Sequence, residues 1–168
     1  VASIMVGGLV FYVEMGKIDD QVLELALDGA RSIDPHLIAQ IPDQQGRDMA
    51  DFQRAMQRLT VNEFIAAEIY DQAQQHLAAS VRPGSKWIED ILDKKKHKFP
   101  TDRAMHFEKF YIDKVLYIRI LVPLKTAQQP VGYFEGVYRV EPRVIEAIQA
   151  RVNHTLLLVL AIILATFV

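Results

Sequence analysis

Val115-Leu-Tyr-Ile-Arg-Ile-Leu-Val-Pro-Leu124 alternates along its whole length, with Leu116, Ile118, Ile120, Val122 and Leu124 on one side and Val115, Tyr117, Arg119, Leu121 and Pro123 on the other. A side-chain period of two belongs to extended chain, so the stretch predicts a strand with one fully aliphatic face. Phe107 to Ile112 before it and Val131 to Val140 after it are rich in aromatic and β-branched residues, the types that fit a pleated surface. Asp113-Lys114 and the polar run Lys125 to Pro130 separate the three segments. The simplest topology is a three-stranded antiparallel meander.

Downstream, Glu141-Pro142 predicts a helix start, because proline suits a first turn, and Val144, Ile145, Ile148 and Val152 form its apolar stripe. That helix leads into Thr155 to Val168, which holds no ionisable group; Val1 to Val13 at the other end holds only the Tyr12 phenol. Runs of about 13 or 14 residues, at roughly 1.5 Å each, cover about 20 Å of a hydrocarbon layer near 30 Å thick. Each end is therefore expected to be part of a transmembrane helix, in an excerpt from a longer protein. The expected division is a partial span at 1–13, a folded domain at 14–152 and a partial span at 153–168.

Upstream of the meander the period is helical. Ile18, Val22, Leu25, Ala26, Gly29 and Ile33 share one face, as a stalk that packs on the sheet or forms a homodimer interface. Asp34-Pro35 ends it, since the residue before proline avoids the helical region. Met49, Phe52, Met56 and Leu59 mark a second helix. Thr60-Val-Asn-Glu63 fits a capping box, predicting a third helix from Val61 with Phe64, Ile65, Ile69, Ala73 and Leu77 inward. Arg82 to Ser85 is a turn, and Trp87, Ile88, Ile91 and Leu92 suit a short amphipathic helix. The basic run from Lys94 to Lys98 that follows reads as a solvated face. The fold class expected is α+β: a helical N-terminal half, then an antiparallel sheet of three or more strands, flanked by two truncated membrane helices.

The chain has 19 Lys and Arg against 21 Asp and Glu, a net charge of −2, which lacks the electrostatic footprint of a nucleic-acid binder. It has no cysteine, so disulfides, thiolate nucleophiles and Cys-based metal sites are excluded. The five histidines are scattered without a ligand spacing, and there is no phosphate-binding loop, nucleophile elbow or dinucleotide fingerprint. No metal, no cofactor and no catalytic activity are expected within these residues.

Tyr117 to Leu124 followed by Gly132-Tyr-Phe-Glu-Gly-Val-Tyr-Arg-Val140 resembles the last two strands of the extracytoplasmic PAS-like or Cache sensor domains of bacterial transmembrane signalling proteins. The resemblance covers the final third or so of the chain well and the helical half in outline. It implies a five-stranded sheet whose first two strands are not evident: either they lie near Ser80 to Trp87 and Lys96 to Thr101, or the sheet is smaller than the family's. It also implies a periplasmic domain of an inner-membrane protein that couples small-molecule binding to a cytoplasmic kinase, chemoreceptor region, cyclase or phosphodiesterase. A dimerisation or protein-interaction module of an envelope protein is the competing reading.

Arg119 is the most unusual residue, a guanidinium in an otherwise apolar strand, where burial unpaired costs several kcal/mol. Glu135 is its expected cross-strand partner. In a pocket for a small anionic or polar ligand, Arg119 receives a carboxylate or phosphate and Tyr117, Tyr133 and Lys109 add donors, with Trp87 as a wall.

Overall fold

The computed structural model describes residues 2–40, 47–92, 97–100, 105–126 and 129–166. In order they form α1 (Ala2–Arg31), α2 (Pro35–Gln40), α3 (Arg47–Asn62), β1 (Ala66–Asp71), β2 (His76–Val81), α4 (Trp87–Leu92), β3 (His106–Ile112), β4 (Val115–Thr126), β5 (Gln129–Arg139) and α5 (Pro142–Thr166). The chain divides into two compact units, one made of Leu23–Arg139 and the other of Val1–Val22 with Val140–Val168.

The larger unit is built on a five-stranded sheet in the order β2-β1-β5-β4-β3, every neighbouring pair antiparallel. The fold is α+β with helices first and sheet after, and the expected meander is present as β3, β4 and β5. Asp113 and Lys114 take positive φ (48° and 66°), so the β3–β4 connection is a two-residue hairpin of the kind whose twist matches the strands it joins.

Two expectations are overturned. The residues from Ala66 to Asp71 and from His76 to Val81 are strands, not a third helix, and they supply the first two strands of the sheet. Strand β1 lies between β2 and β5 and is buried on both faces, so its apolar residues do not alternate with polar ones. The Thr60 hydroxyl donates to the Met56 carbonyl at 3.1 Å and meets Ser80 Oγ at 2.9 Å. It therefore closes the end of α3 and ties it to β2, where a capping box would have used it to open a helix. Strand β2 reaches the first place expected for a strand only at Ser80 and Val81, and β1 lies before both places: Trp87 begins α4, and 97–100 has no regular structure. Lys94 to Lys96 fall outside the described residues.

One face of the sheet is the main core. Ile118, Ile120, Val122 and Leu124 of β4 and Phe134 of β5 are buried there, with Phe64 set edge-on to Phe134 at 5.8 Å. Ala26 of α1 and Ile33 just beyond its end are buried within the same unit, and a Cβ placed on Gly29 would meet the Phe134 ring at 3.3 Å and Leu59 at 3.4 Å. This part of the stripe packs on the sheet inside the protomer.

In the smaller unit α1 and α5 run antiparallel. Gly7 faces Leu156, and Glu14 Oε1 accepts from Arg151 Nη1 at 2.8 Å and from Lys17 Nζ at 2.9 Å. Among the described residues α5 alone is long and apolar enough to cross a membrane.

Candidate functional site

The opposite face of the sheet carries the ionisable residues, and strand register decides which of them meet. Glu108 pairs with Arg119 and Phe110 with Tyr117 across β3 and β4; Glu135 pairs with Leu121 across β4 and β5; Glu68 pairs with Glu135 and Tyr70 with Tyr133 across β5 and β1. All of these side chains therefore project to one side. At one end of this face Ile88 and Leu92 of α4 pack with Ala66, Phe110, Tyr117 and Val137 in an apolar cluster. At the other end Phe99 lies 5.1 Å from the rings of both Tyr70 and Tyr133.

Between the two ends is a buried charge cluster. Arg119 and Glu135 are each 1% exposed, and Arg119 Nε lies 2.8 Å from Glu135 Oε1. That contact is close but out of line: Arg119 Nε and Nη1 and Glu135 Oε1 have no in-line hydrogen-bond partner among the described residues. Glu108 Oε2 is 3.6 Å from Arg119 Nη1, an ion-pair distance beyond hydrogen-bond range. His97 Nδ1 sits 2.6 Å from Arg119 Nη2 and 2.9 Å from Glu135 Oε2. One ring nitrogen cannot serve both, since it accepts from arginine when bare and donates to the carboxylate when protonated.

The cluster continues onto β1. The Tyr70 hydroxyl donates to Glu68 and lies 3.3 Å from His97 Nδ1. Burial raises the Glu68 carboxyl above the ordinary carboxylate range, and the neighbouring Glu135 charge adds to the rise. Burial likewise pushes the Tyr70 phenol up, so it acts as a donor. For His97 the hydrogen bond to Glu135 favours the protonated form and outweighs partial burial, so its pKa is raised. The result is a largely desolvated patch of one guanidinium, three carboxyl groups, one imidazole and one phenol, suited to hydrogen-bonded recognition. Among the described residues no three His, Asp or Glu side chains group as a metal site.

Of the residues singled out in the sequence, Arg119, Glu135, Tyr133 and Tyr117 share this face. Tyr117 is under the apolar cluster, stacked on Phe110, with the Trp87 ring edge-on at 6.1 Å; Trp87 itself is 43% exposed. Lys109 pairs in register with Ile118 and so lies on the opposite face, its Nζ 5.7 Å from the Phe107 ring centroid. Period two along β3 separates it from Arg119. Glu68, Tyr70, His97 and Phe99 were not anticipated. The first two lie in a segment whose pattern reads as helix, and the others lie in or just after the basic run, where nothing in the pattern marks a turn back over the sheet.

No protein-family model and no curated protein matches the sequence. Solved structures do resemble it. The ligand-binding domain of the Pseudomonas aeruginosa amino acid chemoreceptor PctC, in complex with GABA, is 14% identical at a TM-score of 0.45, covering 87% of this chain and 61% of that one. The Vibrio cholerae LuxQ periplasmic domain is 12% identical at 0.45, covering 90% and 70%. The ligand-binding domain of the Pseudomonas fluorescens chemoreceptor CtaA, in complex with L-isoleucine, is 18% identical at 0.42, covering 77% and 52%. The chain thus spans about three fifths of the PctC domain's length, and its structural neighbours are periplasmic or ligand-binding sensor domains.

Proposed function

We propose that this chain is the extracytoplasmic sensor domain of a membrane-bound bacterial signalling protein, binding a small anionic or polar molecule on the sheet face around Arg119. The observation that supports this most is the buried Arg119–Glu135 pair, in which Arg119 Nε and Nη1 and Glu135 Oε1 lack in-line partners among the described residues. A pair kept only for stability is replaceable by apolar residues at little cost. A ligand bearing both an acceptor and a donor satisfies the free directions of both groups. Tyr133 and Tyr70 flank them, and His97 contacts both partners.

In this reading the domain runs from 14 to 152, and 1–13 and 153–168 belong to membrane helices. Strand β5 carries Tyr133 and Glu135, and only two residues separate its end from α5. A ligand that repositions β5 can bias α5 by as much as its affinity differs between the two positions, and no more. A homodimer of the parent protein, with a cytoplasmic output module, would read that displacement.

The test is a thermal-shift screen of the purified chain in detergent against organic acids, amino acids and phosphates, repeated on Arg119→Lys and Tyr133→Phe. A melting-temperature rise that shrinks in both variants is expected. The reading fails if no compound stabilises the chain, or if the rise is unchanged in Arg119→Lys. A concentration-dependent dimer without any ligand response would favour an interaction module instead.

A further inference from the structure

In the unit formed by Val1–Val22 and Val140–Val168, α1 and α5 enclose a groove of about 360 Å³. Its polar rim holds three cations, Lys17, Arg143 and Arg151, against one carboxylate, Glu14. Three positive charges and one negative leave a formal excess of two. Its floor is apolar, formed by the buried Ile18 and Ile148. Glu14 is already bound at one oxygen by both Lys17 and Arg151, yet an ammonium has three donors and a guanidinium five, so most of their donors remain. Arg143 has no carboxylate partner among the described residues.

The position of the groove narrows the anion. Charged side chains stop at Glu14 going back along α1 and at Arg151 going forward along α5, and beyond these points the exposed residues include Leu9, Phe11, Leu157, Leu158 and Leu160. A ligand with an anionic head beside long apolar chains matches both surfaces at once; a free anion matches only the rim. We propose that this groove binds the headgroup of an anionic phospholipid, with its phosphate at Lys17 and Arg151 and its polar end directed toward Arg143. The inference rests on the membrane placement of α1 and α5 proposed above.

Its test is native mass spectrometry of the detergent-purified chain titrated with phosphatidylglycerol and, separately, phosphatidylcholine. Two cations near a phosphate are worth on the order of thirtyfold in retention. Wild type is expected to retain phosphatidylglycerol preferentially, the Lys17→Gln/Arg151→Gln pair to lose that preference, and Glu14→Gln to increase it by freeing both cations. The gain in Glu14→Gln is the outcome that misfolding cannot imitate. Equal retention of the two lipids, a preference that survives the double substitution, or displacement by millimolar inorganic phosphate alone would each overturn the proposal. A carbonate wash of membranes separates the two failures: release of the chain sinks the membrane placement itself, whereas an embedded chain without lipid preference sinks only the headgroup site.

Discussion

Arg119 and Glu135 are diagonal neighbours across β4 and β5 with both side chains out of water, so removing either leaves the other charge with no solvent to return to. Glu135→Gln is expected to cost about 3–5 kcal/mol in urea unfolding, while Arg119→Met combined with Glu135→Leu returns most of it. A double variant as unstable as the single would mean the pair is held by strain elsewhere and not by its own charges. His97 gives the cluster a pH dependence. Its folded pKa is raised above the ordinary 6.5, so the folded state binds the proton more tightly. The stability this contributes is full below 6.5 and is lost as pH rises through the higher folded value. Glu68, raised from 4.5 mainly by burial, acts with the same sign in the window above that value. Facing these two groups are Tyr70 and His76 from β1 and β2, Arg119 from β4 and Glu135 from β5. Melting temperature should therefore fall from pH 6 to pH 8, and His97→Gln should flatten that fall; an unchanged slope in the variant would assign it to another group.

Elements differ in how openly the sequence declares them. Strand β4 was legible because one side stays aliphatic for ten positions, and β5 because aromatic and β-branched residues resume after a polar run. Strand β1 was not, because burial on both faces erases alternation, and Ile65, Ile69 and Ala73 happen to recur every four residues. The site divides in the same way. Arg119 stood out as a cation in an aliphatic strand, whereas Glu68 and Tyr70 were hidden by the wrong element and His97 by its basic neighbours. Close approach of β1 and of Phe64 before it to β5 explains two glycines and yields a paired test. A Cβ on Gly132 would collide with the Tyr70 carbonyl oxygen, which is backbone and cannot move aside; one on Gly136 would lie 2.7 Å from the Phe64 ring, which can. Gly136→Ala is expected to cost about 1–3 kcal/mol and to be partly relieved by Phe64→Leu, while Gly132→Ala costs more and has no such rescue. Equal losses at the two positions in chemical denaturation would contradict the register.

At the scale of the molecule, the apolar surface of α5 asks for an environment other than water. Leu157, Leu158, Leu160, Ile162 and Leu164 are all exposed, and large contiguous apolar surface on a protein marks contact with lipid or with another chain. The two environments respond differently to one substitution. In water an exposed Leu→Lys change is worth about 0.5 kcal/mol or less, because the lysine keeps its hydration. At the centre of a membrane helix the same change costs about 3–4 kcal/mol, the sum of a lysine penalty near 2.5–3.5 and the lost leucine contribution. Leu160→Lys is therefore expected to shift the chain out of the carbonate-resistant membrane fraction or to lower its steady-state amount. Val61→Lys, at an exposed position on α3, should leave both unchanged. If Leu160→Lys partitions as wild type does, α5 is not lipid-embedded at that position, and the signal route from β5 into a membrane would have to be abandoned with it.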